Sequence, residues 1–214
     1  MKIRHVRTAA ALAATALTAA VLVPGPSAQA RAPHLGKTSL AAVLAADGLA
    51  FDDNWEDFDI LDQAVHDVLT AKPDSPVALL ADGRVRLTAF APTDRAFRKL
   101  VTAVAGSRPA TEQQAYDVLS TVGVDTIESV LLYHVVPGAP ITYRQAKMAD
   151  GATLTTANGS TLRVDYRPRS GKVLLVDQDT NARNAFVYRA LANINEGNRQ
   201  IAHGVSQVLR PIDL

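Results

Sequence analysis

The sequence predicts an α+β domain, helices first, with an antiparallel or mixed sheet behind them. Three observations carry this reading. Apolar residues recur at helical spacing, bracketed by capping residues, from about 39 to 132. After Pro137 the pattern turns to short runs separated by turn signals, the clearest being Asn158-Gly159. No linker or internal repeat breaks 38–214, so one domain is the simplest division of a 214-residue chain.

The elements follow in order. Residues 1–8 carry Lys2, Arg4 and Arg7 and no acid, residues 9–23 are apolar and Ala-rich, and Ala28-Gln29-Ala30 offers small residues. This is the layout of a secretory signal peptide cleaved near Ala30. The apolar run is shorter than the roughly 20 residues needed to span a bilayer. Cleavage would remove the faint positive charge and leave a soluble mature chain with no membrane span. Residues 31–37 read as a short, flexible N-terminus. A helix is expected over 39–47, with Thr38 as N-cap and Gly48 as stop. Residues 52–69 place Phe58, Leu61, Val65, Val68 and Leu69 on one helical stripe, with acids crowding the start where the helix dipole favours them. Pro73 and Pro76 end it.

Residues 85–91 alternate as a strand, which Pro92 ends because it cannot donate to the ladder. Thr93 or Asp94 then caps a helix whose apolar face is Phe97, Leu100, Val101 and Val104. Thr111 with Gln114, and Asp125 with Glu128, read as capping boxes for helices to about Val122 and through Leu132. Strands are expected at 152–157 and 160–166 around Asn158-Gly159, then at 173–177, 186–191 and 201–209.

Composition excludes several classes. With 22 Lys+Arg against 21 Asp+Glu, the chain lacks the basic surplus of a nucleic-acid binder. Zero Cys removes disulfides, thiolate metal sites and a Cys nucleophile. A 48% hydrophobic content is too high for a disordered chain.

Three segments resemble the fasciclin domain: LTAFAPTDRAF at 87–97, LLYHVVPGAPIT at 131–142 and QIAHGVSQVLRPIDL at 200–214, in the family order. The likeness covers roughly 55–214. It implies a wedge of two β-sheets with several helices packed at one side, and a role in cell-surface or matrix contact. It also singles out Thr93, Asp94, Tyr133, His134 and His203 as motif residues, with the Tyr-His segment linked to fold integrity and, in animal members, to adhesion. In animal members an Asp-Ile pair upstream of the closing His is implicated in integrin binding. Here the stretch is Ala192-Asn193-Ile194-Asn195, and the charge is gone. Ser206 likewise stands where the family often has Asp. Tyr133, His134, Asn193 and Ile194 are therefore the candidate partner-binding residues.

Tyr, His and Asp together invite a catalytic reading, but no G-x-S-x-G elbow is present. Buried, satisfied histidines explain His134 and His203 more simply, with Asp94 as the expected partner of His134. His66, His134 and His203 lack metal-ligand spacing. Asp177-Gln178-Asp179-Thr180-Asn181 starts like a calcium loop, yet Ala182 and Tyr188 replace its required Gly and Glu. The run Asp52, Asp53, Glu56, Asp57, Asp59 suits a helix N-terminus better than a weak surface calcium. Trp55 reads as a lid over that helix end, and Tyr143, Tyr166 and Tyr188 as residues that could share a surface. No cofactor, catalytic residue or metal site is expected. The leading expectation is a secreted, non-catalytic adhesion module for a matrix, cell-wall or protein ligand. The alternatives are a carrier of a small apolar ligand between helices and sheet, in a groove lined by the helices at 39–49 and 112–132, and, last, a hydrolase built on His134 or His203.

Overall fold

The computed structural model describes residues 35–212 apart from 47 and 49. The expected signal peptide lies outside them. So do 31–34 of the expected flexible N-terminus and Asp213-Leu214. The described residues fall in one compact unit.

Helices come first. Helix α1 is Leu40–Leu44, with the Ser39 hydroxyl, not Thr38, accepting from the Ala42 amide at 3.2 Å. Residues 35–38 are tied to the 197–199 turn: the Gly36 amide donates to the Gly197 carbonyl at 2.9 Å and the Thr38 amide to Asn198 Oδ1 at 3.1 Å. Helix α2, Asp59–Ala71, starts later than expected. Residues 52–58 form a loop instead, with Asp53 in the left-handed region at φ 66°. The stripe itself holds: Leu61, Val65 and Val68 are buried with Ile60 and Ala64. A 3-10 helix, Pro76–Leu80, follows.

Strand β1, Leu87–Pro92, is buried along its whole length. It is the middle strand of a three-stranded sheet, between β2 (Val135–Pro137) and β7 (Gln200–Val205). The β2 pairing is antiparallel and the β7 pairing parallel, so this sheet is mixed. Helix α3, Asp94–Ala105, leaves β1 and ends at Gly106, whose φ of 69° suits glycine. Helices α4, Glu112–Ser120, and α5, Val124–Tyr133, complete the helical side. Thr111 caps α4 as expected. The box proposed for α5 does not form, because Asp125 and Glu128 both turn to Lys72.

Helix α6, Tyr143–Met148, is not among the expected elements, and Thr142 with Gln145 makes its capping box. The second sheet is antiparallel: β3 (Thr153–Thr155), β4 (Thr161–Arg167), β5 (Lys172–Val176) and β6 (Ala185–Phe186). The Asn158-Gly159 hairpin forms, but not with a two-residue turn. The Gly159 amide donates to the Thr156 carbonyl and only Gly159 takes a positive φ, which is a type I turn with a bulge. Beyond β6 the expected strand 186–191 stops early and becomes a short 3-10 helix, Arg189–Leu191.

The two sheets join along one edge. The Tyr188 amide donates to Gly204 and the Ser206 amide to Phe186, and Val187 bridges Val205. Ser206 Oγ accepts from the Phe186 amide at 3.0 Å, which gives that hydroxyl a structural use. Phe90, Val136, Leu162, Val164, Val173, Leu175 and Val205 fill the angle between the sheets, while the helices cover the other face of β1 with a second apolar cluster. The result is the expected α+β wedge with helices at one side.

Candidate functional site

Asp94 and His134 do not meet. Asp94, at the start of α3, accepts from two main-chain amides that open α2, Asp59 at 3.1 Å and Ile60 at 2.9 Å. It therefore caps a helix other than its own, and supplies what Phe58 cannot. Thr93 is the N-cap of α3 by backbone geometry, but its hydroxyl is buried and makes no hydrogen bond. The expectation that Asp94 partners His134 is thus overturned, because the helix amides hold both of its oxygens.

His134 closes the end of α5. Its Nδ1–H donates to the Val130 carbonyl at 2.7 Å, which also accepts from the His134 amide at 3.3 Å in the last turn of the helix. Its Nε2 accepts from the Leu209 amide at 2.8 Å. The ring thus ties the closing segment to α5. Burial holds its pKa down at about 4 against an ordinary 6.5. His203 has the opposite tautomer: Nε2–H donates to the Ile141 carbonyl at 2.8 Å and Nδ1 accepts from the Asn193 amide at 3.2 Å. Burial lowers its pKa too. Both assignments follow from the partners, since each ring faces one carbonyl and one amide.

Tyr133 is fully buried. Its hydroxyl donates to the Thr161 carbonyl at 3.0 Å and accepts from the Gln178 amide at 3.2 Å, which fastens α5 to the second sheet. A partner cannot reach Tyr133 or His134, so both leave the candidate contact surface. Asn193 is half-buried and sits at φ 61°, a conformation asparagine tolerates well. Its Oδ1 accepts from the Tyr143 amide at 2.7 Å, the first amide of α6. Ile194 bridges Ala202 of β7. The Asn-Ile pair is thus engaged in the scaffold.

Sequence reading missed Gln200. This buried side chain accepts from the Leu40 amide at 2.7 Å and donates to the Leu79 and Asp82 carbonyls at 2.7 and 2.8 Å. The Asp177–Asn181 loop is likewise internal. Asp179 accepts from the Asn181 and Ala182 amides and pairs with Arg210 at 2.7 Å, and Asp177 accepts from the Arg210 amide at 2.9 Å.

Two charged regions remain. Where α2, α3 and α4 begin, one oxygen each of Asp57, Asp94 and Glu112 lies within 4.8 Å of the others. Burial, reinforced by the Asp57 carboxyl, pushes Asp94 up to about 9, and burial raises Glu112 to about 7. Burial and the Asp57 carboxyl thus favour the protonated form of Asp94, against the pull of the α2 amides. These carboxyls could ligate a cation, but both Asp94 oxygens already hold α2 amides. The second region is an open cleft of about 640 Å³ lined by Trp55, Arg95, Arg98, Lys99, Thr102 and Arg108. The Arg98 guanidinium lies 4.1 Å from the Trp55 ring centroid. Trp55 is partly buried, as a lid should be, and also walls this cleft. The apolar pocket beneath α1, by contrast, is only about 30 Å³, well below the roughly 300 Å³ of a small-molecule site.

A model of the fasciclin domain matches residues 63–211 of the chain. No curated protein matches it. Among solved structures it is similar to a domain pair from the insect cell adhesion molecule Fasciclin I. The TM-score is 0.50 at 15% identity, over 81% of this chain and 51% of that one. The chain thus spans about half the length of that relative, and at this identity the likeness shows the fold alone. With the three sequence segments, the two-sheet wedge and a family match running from α2 past β7, the chain belongs to the fasciclin domain family.

Proposed function

We propose that this chain is a secreted, non-catalytic adhesion or binding module whose ligand is a matrix, cell-wall or protein surface. One observation carries the reading. The polar atoms of Asp94, Tyr133, His134 and His203 are bonded to main-chain groups of distant segments, so these residues fasten the scaffold. A hydrolase would need His134 or His203 beside a hydroxyl nucleophile, and each ring nitrogen has a backbone partner instead. Secretion is supported by the basic, apolar and small-residue layout of residues 1–30. Among the described residues no helix is long and apolar enough to cross a membrane.

Two measurements test this reading. Intact mass of protein recovered from the host's medium should begin after Ala30; an uncut N-terminus retained inside the cell would refute secretion. The purified chain should be held by a fraction of the host's own envelope or matrix and released by excess soluble fraction. Absence of retention by every fraction would refute adhesion.

A further inference from the structure

We propose that the Trp55–Arg98 cleft is the binding face of this module and that its ligand is an acidic polysaccharide, a chain of sugars bearing carboxylates. The proposal rests on the binding-module reading and names its site and ligand class.

The cleft is built on a rigid element. Arg95, Arg98, Lys99 and Thr102 succeed one another at helical spacing on the outer face of α3, while Ala96, Phe97 and Val101 bury the opposite face. The Arg95 amide donates to the Trp55 carbonyl at 2.8 Å, which fixes the indole-bearing loop to the start of that helix. Arg108 approaches from the loop after α3. Arg98 Nε donates to the Pro109 carbonyl at 2.9 Å, so the guanidinium is oriented while its terminal nitrogens stay available.

The charge is only partly balanced from within, by Glu56 near Arg95 and Lys99 and by Asp53 near Arg98. Of the four cations, only Arg95 forms an ion pair among the described residues, with Glu56. Lys99 Nζ donates to the Ser206 carbonyl, a neutral acceptor. Burial, then the crowding of Arg108 and Arg95, lowers the pKa of Arg98, and Lys99 is lowered by burial and Arg95. A carboxylate entering the cleft would relieve this crowding and match the guanidinium fork with two parallel hydrogen bonds. The guanidinium stacked on the indole is held flat at the cleft wall, and a volume near 640 Å³ admits more than one sugar ring. Nucleic acid fits less well. The chain as a whole carries 22 basic against 21 acidic residues, and phosphate backbones need a broader basic surface.

The test uses the intact chain on immobilised polygalacturonate, a neutral glucan and duplex DNA, at about 50 and 500 mM salt. Retention is expected on the polyuronate alone, weakened at high salt. The variant pair Ala103→Glu and Arg108→Glu, both at exposed positions, should weaken it about tenfold or more with an unchanged melting temperature. Equal retention of the double variant would overturn the cleft as the site. DNA held as tightly as the polyuronate would overturn the ligand class. If an envelope fraction holds the chain but the polyuronate does not, this proposal fails and the module reading stands. If nothing holds it, both fail.

Discussion

His134→Gln should change how stability depends on pH, and the structure sets the size of the effect. Folded His134 keeps a bare Nε2 because the Leu209 amide needs that lone pair, and its Nδ1–H is committed to Val130. Protonation would set N–H against N–H in a buried place. The fall from 6.5 to about 4 corresponds to about 3 kcal/mol between the two protonation states. The sign follows from the unfolded chain, whose imidazole takes up a proton below about 6.5. Stability from the neutral ring is full above that pH and is lost as pH falls through 4. Glutamine cannot titrate. At pH 7 the variant should be less stable by about 1–3 kcal/mol, because the rigid ring that joins the Val130 carbonyl to the Leu209 amide is lost. That difference should shift by about 3 kcal/mol in favour of the variant between pH 7 and pH 4, enough to close or reverse it. Urea unfolding followed by far-ultraviolet circular dichroism, at single pH steps, measures it directly. His203 and the carboxyls titrate in both proteins and cancel in the comparison. A gap that stays constant across this range would refute the reasoning.

Three further outcomes are expected. Gln200→Leu takes the partner of the Leu40 amide and a donor from the Leu79 and Asp82 carbonyls, of which Asp82 keeps the Val85 amide, and should lower unfolding free energy by about 2–3 kcal/mol; a loss below about 1 kcal/mol would show that these groups find other partners. Gly83→Ala would set a Cβ 1.7 Å from the Lys37 carbonyl oxygen. The segment 35–46, with α1, should then become sensitive to limited proteolysis while the rest stays folded, and an unchanged digestion pattern would count against that contact. Asp94 and Glu112 take up protons on folding, so their contribution is present at acid pH and lost as pH rises through about 7 and about 9. The melting temperature should fall from pH 7 to 9, and less steeply in Asp94→Asn, whose amide stays uncharged; parallel profiles would contradict the assignment.

The sequence carried the fold wherever the signal was local. The stripe on α2, the buried β1 run, the Thr111 cap and the 158–159 turn all depend on neighbours a few residues apart. Partners across the chain were not legible. Asp94 reads as a cap for its own helix, yet it bonds amides at 59 and 60, which no spacing rule reveals. Glu128 looked like half of a capping box until Lys72 and Ser75 drew it away. Helix α6 is a different case: Thr142 and Gln145 have the capping-box spacing, and the preceding proline-rich stretch masked it. For the motif residues, burial was foreseeable from residue type and the partners were not, because His134 and His203 satisfy main-chain atoms at 209 and 141. The cleft was half visible. Arg95, Arg98 and Lys99 share a helical face in any reading, but only the fold brings Trp55 and Arg108 to them.

His134 and His203 are internal braces with fixed and opposite tautomers. Nitrogen-15 correlation spectra of the imidazoles across pH 4 to 8 test this most directly. His134 should show a protonated Nδ1 and a bare Nε2, and His203 the reverse, with His134 unprotonated until the pH nears 4. Averaged nitrogen shifts, with either ring titrating near the free value of about 6.5, would mean that these side chains face solvent and that the scaffold is held together by something else.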